Sequence, residues 1–150
     1  MTDWGAQAEQ ALSDFHEVAR LGGVELAPDD LVVERLPALH RSPTRLPPGK
    51  MAVYAFWGDG GWLKVGKVGP NSNARYTSQH YLAGSAPSTL AASLLGSPPV
   101  DQAFDAGQAG AWMRERTCRL NILMPASRPR ELLSLLEAFL HLRLRPRFEG

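Results

Sequence analysis

The residues best suited to chemistry lie between Met51 and His80, where the sequence places a phenol, an amine and a guanidinium within a short span: Tyr54, Lys64 and Arg75. A guanidinium binds phosphate oxygens as a bidentate fork. A phenol, with a pKa of about 10 when free, accepts a proton near neutral pH only where a nearby cation lowers that pKa. These residue types therefore indicate a site that binds a phosphate and moves a proton.

A β-hairpin followed by a short helix has to position these side chains. Residues 51–57 and 62–68 are β-branched and aromatic runs, and residues 58–61 are predicted to form a four-residue turn. Lys64 then lies on the same side of the hairpin as Gly66, near Tyr54. Gly66 inside a strand is typical of a bulge or of close approach by another backbone or a ligand. A helix is predicted over 74–81, with Arg75 in its first turn.

Four pieces of sequence in this order resemble the GIY-YIG nuclease superfamily. They are Ala52-Val53-Tyr54, then Lys64-Val65-Gly66, then Arg75 on the following helix, and finally Glu137 near the C-terminus. The similarity covers residues 51–149. It implies an α+β fold with a small antiparallel three-stranded sheet flanked by helices, and a metal-dependent endonuclease that hydrolyses phosphodiester bonds of DNA.

The resemblance also implies a role for each matched residue. Glu137 would hold one Mg²⁺ or Mn²⁺ ion through oxygen, with water and phosphate as the other ligands. Tyr54 would take the proton from the attacking water, Lys64 would be the cation that lowers the pKa of this phenol, and Arg75 would bind the phosphate. Further nucleic-acid contacts are expected from three residues near the motifs: Lys67, Gly66 and His80. In a continuous helix, however, 100° per residue turns His80 about 140° away from Arg75, so His80 is explained better as a partly buried polar residue than as a phosphate contact.

Two positions depart from the usual family pattern. Lys64 stands where the second motif usually has tyrosine, as in a phage-type branch of the superfamily with a lysine-isoleucine-glycine motif, and Glu149 stands where the family often ends with asparagine. Lys64 is equally compatible with a fold that is retained while catalysis is lost. The alternative to a nuclease is therefore an inactive nucleic-acid-binding or protein-interaction module on the same fold.

The net charge of +1 conceals an uneven distribution along the chain. Residues 1–34 carry eight of the fifteen acidic side chains and a single basic one, Arg20, whereas the remainder has a net charge of +8. The basic part is suited to meeting phosphate, although scattered arginine is also ordinary solvated surface. The acidic part could cover a basic face, either of this chain or of a partner, or form a homodimer contact. We predict two parts: an acidic extension with a proline-rich connector at 1–49, and a nuclease-like domain at 50–150.

Outside the motif stretch, helices are predicted at 3–20 and 129–145 and a strand at 118–124. On the last helix, Glu137 lies at the border between the apolar face and the polar face. Without the family pattern, Glu137 is explained better as a surface partner of His141, and Tyr54 as a packed strand residue.

The sequence also favours a cytoplasmic location and lacks the motifs of several other enzyme classes. A lone cysteine, Cys118, and the lack of an 18-residue apolar run or a signal-like N-terminus fit a cytoplasmic protein. There is no Walker phosphate loop, no nucleophile elbow and no dinucleotide fingerprint. The four histidines share no ligand-like spacing, so structural zinc is not expected.

Overall fold

The computed structural model describes residues 3–77, 79–82, 89–97 and 106–148. The fold is α+β, with helices packed on an antiparallel sheet. Its elements, in chain order, are α1 (Trp4–Leu21), β1 (Val32–Leu36), β2 (Lys50–Gly58), β3 (Gly61–Val68), α2 (Asn73–Thr77), a 3₁₀ turn (Gln79–Tyr81), α3 (Leu90–Gly96), α4 (Ala106–Arg116), β4 (Cys118–Pro125) and α5 (Arg130–Leu144). Glu149 lies outside the described residues.

The sheet has four strands in the order β1-β4-β2-β3, rather than the three predicted. The extra strand is β1, which pairs antiparallel with β4 from Val32 opposite Leu123 to Leu36 opposite Arg119. Residues 31–36 have strand-like composition, but nothing local to them shows which strand they pair with. By pairing there, β1 satisfies the backbone groups that β4 would otherwise expose at the edge of the sheet.

The hairpin of β2 and β3 confirms the predicted strands and shortens the predicted turn. Its two central residues are Asp59 and Gly60, with φ angles of 52° and 80°. Two-residue hairpin turns of this kind need positive φ at both positions, which an Asp-Gly pair tolerates well. Tyr54 of β2 is directly opposite Gly66 of β3 and Asn121 of β4.

The two faces of the sheet are covered by different helices. One face packs against α1 and α5, and its core includes Val53, Val65 and Ile122. The opposite face, which we call the Tyr54 face, carries Tyr54 and Phe56 and packs against α2, the 3₁₀ turn, α3 and α4. Side chains alternate between the faces of a strand, so Lys64 and Gly66 also belong to the Tyr54 face.

The helix predicted over 74–81 is not continuous. Helix α2 ends at Thr77, and the chain resumes as a 3₁₀ turn at Gln79. The turn angle of 100° per residue used to place His80 away from Arg75 therefore does not apply, because a 3₁₀ turn has about three residues per turn. This change of helix type points His80 inward, toward Tyr54.

The first 49 residues belong to the same core as the rest of the chain. Helix α1 begins after Asp3, whose side chain accepts hydrogen bonds from Gly5 N at 2.9 Å and Ala6 N at 3.2 Å, as a helix N-cap does. Its buried residue Phe15 packs in the core shared with α5. The acidic side chains of this segment meet arginines of the same chain, for example Asp14 with Arg143 at 2.8 Å.

The prediction of a C-terminal helix is confirmed by α5, which lies one residue inside each predicted end. Its buried residues follow helical spacing and face the sheet: Leu132, Leu133, Leu136, Leu140 and Leu144. The chain leaves the helix at Arg145, which has a φ of 52° in the left-handed region. No helix in the described part of the chain is long and apolar enough to cross a lipid bilayer.

Candidate active site

Tyr54 lies in the middle of β2 with only 1% of its surface exposed. Its ring packs edge-on against Phe56, with centroids 6.1 Å apart, and against His80, at 4.7 Å. The phenol oxygen bonds to Nε2 of His80. Packing on both sides and this hydrogen bond fix the position of the hydroxyl group.

Gly66 makes room for that hydroxyl group. A β-carbon built on Gly66 would lie 2.4 Å from the phenol oxygen of Tyr54 and 2.7 Å from its Cζ atom. Any side chain at this position would therefore displace the phenol. The close approach predicted at Gly66 involves Tyr54, and Gly66 is buried beneath its ring. Because Gly66 belongs to the edge strand β3, this contact places the phenol of Tyr54, a β2 residue, over the neighbouring strand.

We expect Gly66→Ala to cost about 1–3 kcal/mol of stability through overpacking, and to reduce any activity that depends on Tyr54 by about 10²-fold through displacement of its hydroxyl group. Gly61→Ala in the same strand is the matched control, because nothing lies within 4 Å of a β-carbon there. Urea unfolding of both variants measures the first effect. Equal, small losses for the two variants would contradict the packing that we describe.

His80 is fully buried, and its tautomer follows from its partners. The backbone N–H of Leu90 donates to Nδ1 at 3.0 Å, so Nδ1 carries no proton. Burial, together with the charges of Arg75, Arg119 and Lys64, lowers the pKa of His80 to about 2, so the ring is neutral. Its proton is therefore on Nε2, which donates to the phenol oxygen of Tyr54. His80 orients Tyr54, and its burial agrees with the interpretation of His80 as a buried polar residue rather than as a direct nucleic-acid contact.

Burial of a neutral His80 makes stability depend on pH in a definite direction. In the unfolded chain the imidazole has a pKa of 6.5, against about 2 when folded, so below pH 6.5 only the unfolded chain binds this proton. The free energy of unfolding then falls with pH, by about 2 kcal/mol between pH 7.5 and pH 5 for this residue.

The measurement is urea unfolding at both pH values for the wild type and for His80→Gln, which lacks the titrating group. We expect the difference in stability between the two proteins to shrink by that amount at pH 5. Because His40, also buried with a lowered pKa, is common to both proteins, its contribution cancels. If the difference in unfolding free energy between the two proteins is the same at both pH values, His80 takes up a proton as readily in the folded chain as in the unfolded chain.

Burial and two nearby cations have opposite effects on the pKa of Tyr54. Burial raises the pKa of Tyr54, whereas a hydrogen bond and the charge of Arg75, and the charge of Arg119, lower it. Arg75 is half-buried and lies close enough to the phenol of Tyr54 to act on it by charge and by hydrogen bond. The net pKa of Tyr54 is raised, so the phenol is protonated at neutral pH.

Lys64 lies on the expected face of the hairpin but does not have the expected effect on Tyr54. Lys64 was expected to be the cation that lowers the pKa of Tyr54, but Arg75 and Arg119 act in this direction instead. Lys64 is 1% exposed and lies opposite Phe56 on the Tyr54 face. Burial and the charge of Arg75 lower the pKa of Lys64. This amine is therefore shifted toward the neutral form, in which it can accept a proton.

Glu137 lies at the edge of the sheet, on α5. Its carboxylate pairs with Nζ of Lys67 on β3 at 2.9 Å, and its side chain keeps 23% exposure. Lys67 follows Gly66 directly, and the charge of Glu137 acts to raise the pKa of Tyr54, although less than burial does. The carboxylate is thus near the phenol, although α5 covers the other face of the sheet.

The surroundings of Glu137 fit a hard divalent cation. The carboxylate offers oxygen ligands beside an open groove of about 580 Å³ that is also lined by His141 and Arg145. The carboxylate already pairs with a cation, the Lys67 ammonium. In the described part of the chain, no three His, Cys, Asp or Glu side chains are grouped to hold a metal. A metal at Glu137 would therefore take other ligands from water and from phosphate.

Arg119 joins the site from β4 and was not among the residues predicted from the sequence. It is fully buried, and its guanidinium carbon lies 5.3 Å from the centre of the Tyr54 ring. The available signal was an arginine inside an otherwise apolar strand, with Asn121 two residues later on the same face. A charged side chain in such a strand needs partners in the interior.

The structure thus brings five of the seven predicted residues to one place: Tyr54, Lys64, Gly66, Arg75 and His80. Glu137 and Lys67 form a neighbouring pair at the sheet edge. Comparison of the chain with protein-family models, with curated proteins and with solved structures finds no match.

Proposed function

We propose that this protein is a metal-dependent endonuclease that hydrolyses phosphodiester bonds of DNA, with a GIY-YIG-like site. The observation that carries the proposal is the buried phenol of Tyr54. It is held over Gly66, receives a hydrogen bond from His80 and faces the guanidinium of Arg75. A phenol that only fills the core needs no such set of donors and cations around its oxygen.

Each residue has a role in this proposal. Arg75 binds the phosphate oxygens and neutralises the charge that develops on them. Tyr54 releases its phenol proton to solvent, a step that the charges of Arg75 and Arg119 favour, and the phenolate then takes a proton from the attacking water. Lys64, on the same face of the sheet, adds a further basic group to the site. His80 cannot take the phenol proton, because its Nε2 atom already carries a hydrogen and Nδ1 is occupied by Leu90.

Glu137 is the residue that would hold Mg²⁺ or Mn²⁺. When bound, the ion supplies positive charge to the phosphate and the leaving oxygen. Lys67, which neutralises the same carboxylate in the structure, is then released to contact the nucleic-acid backbone. DNA is a more natural substrate than RNA under the family resemblance. The acidic side chains of the first helix pair with arginines of the same chain, so of the partners considered for the acidic segment we propose a basic face of this chain itself.

Two features favour a second function. The pKa of Tyr54 is raised rather than lowered, and Lys64 replaces the tyrosine of the second motif. A nucleic-acid-binding module that has kept the fold and lost catalysis would show both features. Such a module would bind DNA equally well in EDTA and would leave it intact.

Cleavage of supercoiled plasmid by the purified chain tests the two functions directly. We expect nicked and linear products with Mg²⁺ or Mn²⁺ and none with EDTA, while a gel shift measures binding under all three conditions. A plasmid that stays supercoiled in every metal, together with an intact gel shift in EDTA, would favour the binding module. Cleavage that persists in EDTA would contradict the metal requirement.

A further inference from the structure

Arg119 is a buried cation surrounded by aromatic rings. None of its surface is exposed, and its guanidinium carbon lies between 5.0 and 6.0 Å from the centroids of four rings: Tyr54, Phe56, Tyr76 and Tyr81. These four rings include all three tyrosines of the chain. Arginine keeps its charge inside proteins, so the positive charge at this point is permanent.

The hydrogen bonds of Arg119 all end on neutral oxygens. Nε donates to Oδ1 of Asn121 at 2.8 Å, Nη2 to the backbone carbonyl of Tyr76 at 2.6 Å, and Nη1 to the hydroxyl of Tyr81 at 3.4 Å. Taking a charge out of water costs free energy that a carboxylate partner usually helps to offset. Here cation–π contacts and neutral acceptors replace that partner, so an anion that formed nearby would be strongly favoured.

Two of the three tyrosines are poorly placed to become that anion. The hydroxyl of Tyr76 donates to the carboxylate of Glu34 at 3.1 Å; a negative charge there would be repelled. The hydroxyl of Tyr81 lies 2.6 Å from Nε2 of His40. Because Nδ1 of His40 faces the carbonyl of Thr117, it carries the imidazole proton, so Tyr81 donates to Nε2.

Tyr54 has the opposite surroundings. Its oxygen accepts a hydrogen bond from His80 and faces Arg75, and each of these contacts strengthens when the oxygen is negative. The charge of Glu137, on α5, also acts on this oxygen and opposes a negative charge there, but it has less effect than Arg75 and Arg119. Of the three phenols around Arg119, the one on β2 is therefore the best site for a negative charge.

We propose that Arg119 is a positioning residue for Tyr54: its fixed buried charge stabilises the phenolate of Tyr54, and the hydrogen bond from His80 together with Arg75 makes this phenol ionise before those of Tyr76 and Tyr81. The inference rests on the proposed function, in which Tyr54 loses its proton before it takes one from water. It makes Arg119 part of the catalytic apparatus, although it lies behind Tyr54 and does not reach the substrate.

The test is the titration of each tyrosine in the absence of DNA and metal. Difluorotyrosine is placed at one of the three positions at a time. Fluorination lowers the pKa of the phenol, so that it titrates at pH values at which the protein stays folded, and fluorine NMR follows its ionisation. We expect Tyr54 to ionise first in the wild type. We expect Arg119→Met to raise its midpoint by on the order of one pH unit, and Arg119→Lys, which keeps the charge, to raise it less.

A merely structural Arg119 would lower thermal stability in both variants without moving the midpoint of Tyr54 in either. That result, or ionisation of Tyr76 or Tyr81 before Tyr54, would overturn the proposal. The order of ionisation in the wild type needs no variant, so the test holds even if Arg119→Met does not fold. Because neither DNA nor metal is present, a failed titration is distinct from a failed cleavage assay.

Discussion

Tyr54→Phe is expected to reduce the rate of DNA cleavage by about 10²-fold or more, since it removes the group that takes the proton from water. The aromatic ring remains, so the packing against Phe56 and His80 is kept. The Nε2–H group of His80 loses its buried acceptor, which we expect to cost about 1–3 kcal/mol of stability. Plasmid nicking under saturating metal and urea unfolding measure the two effects separately.

Tyr81→Phe is the matched control for that experiment. It also removes a buried tyrosine hydroxyl bonded to a histidine, in this case His40 at 2.6 Å. A similar loss of stability with nearly unchanged cleavage is therefore expected. Equal losses of activity in the two variants would mean that destabilisation, rather than chemistry at Tyr54, explains the result.

The parts of the fold that were predictable depend on local patterns. The hairpin, the strand at 118–124 and the helix at 129–145 have clear periodicity and end signals, and all three are present. The pairing of β1 with β4 could not be predicted, because it joins segments about 90 residues apart through backbone hydrogen bonds. The predicted domain boundary at residue 49 was based on composition. Composition does not show that Phe15 packs in the same core as α5.

The site shows the same division between local and distant signals. The side chains that share a face of the hairpin, Tyr54, Lys64 and Gly66, follow from alternation along the strands. His80 was misplaced because the break in α2 after Thr77 has no strong sequence signal. Arg119 was missed because its partners come from strands and helices distant in sequence, so its contacts exist only in the folded chain.

Glu137→Gln is expected to reduce metal-dependent cleavage by about 10²-fold or more, because the amide cannot supply the negative charge that a divalent cation needs. The substitution keeps the size of the side chain, and the site is half-exposed, so stability should change little. Calorimetry with Mn²⁺ alone gives a readout that is independent of cleavage. The wild type should bind the ion, and the variant should bind it much more weakly.

Lys67→Met distinguishes a metal site at Glu137 from a simple ion pair, because it removes the ammonium group that lies 2.9 Å from the Glu137 carboxylate. If a metal ion takes the place of Lys67, this variant should bind Mn²⁺ more tightly than the wild type, whereas its affinity for DNA should fall through loss of a phosphate contact. Opposite changes in the two affinities are difficult to explain by a surface ion pair alone. Unchanged Mn²⁺ binding in both Glu137→Gln and Lys67→Met would place the metal elsewhere, and would leave Glu137 as a structural partner of Lys67.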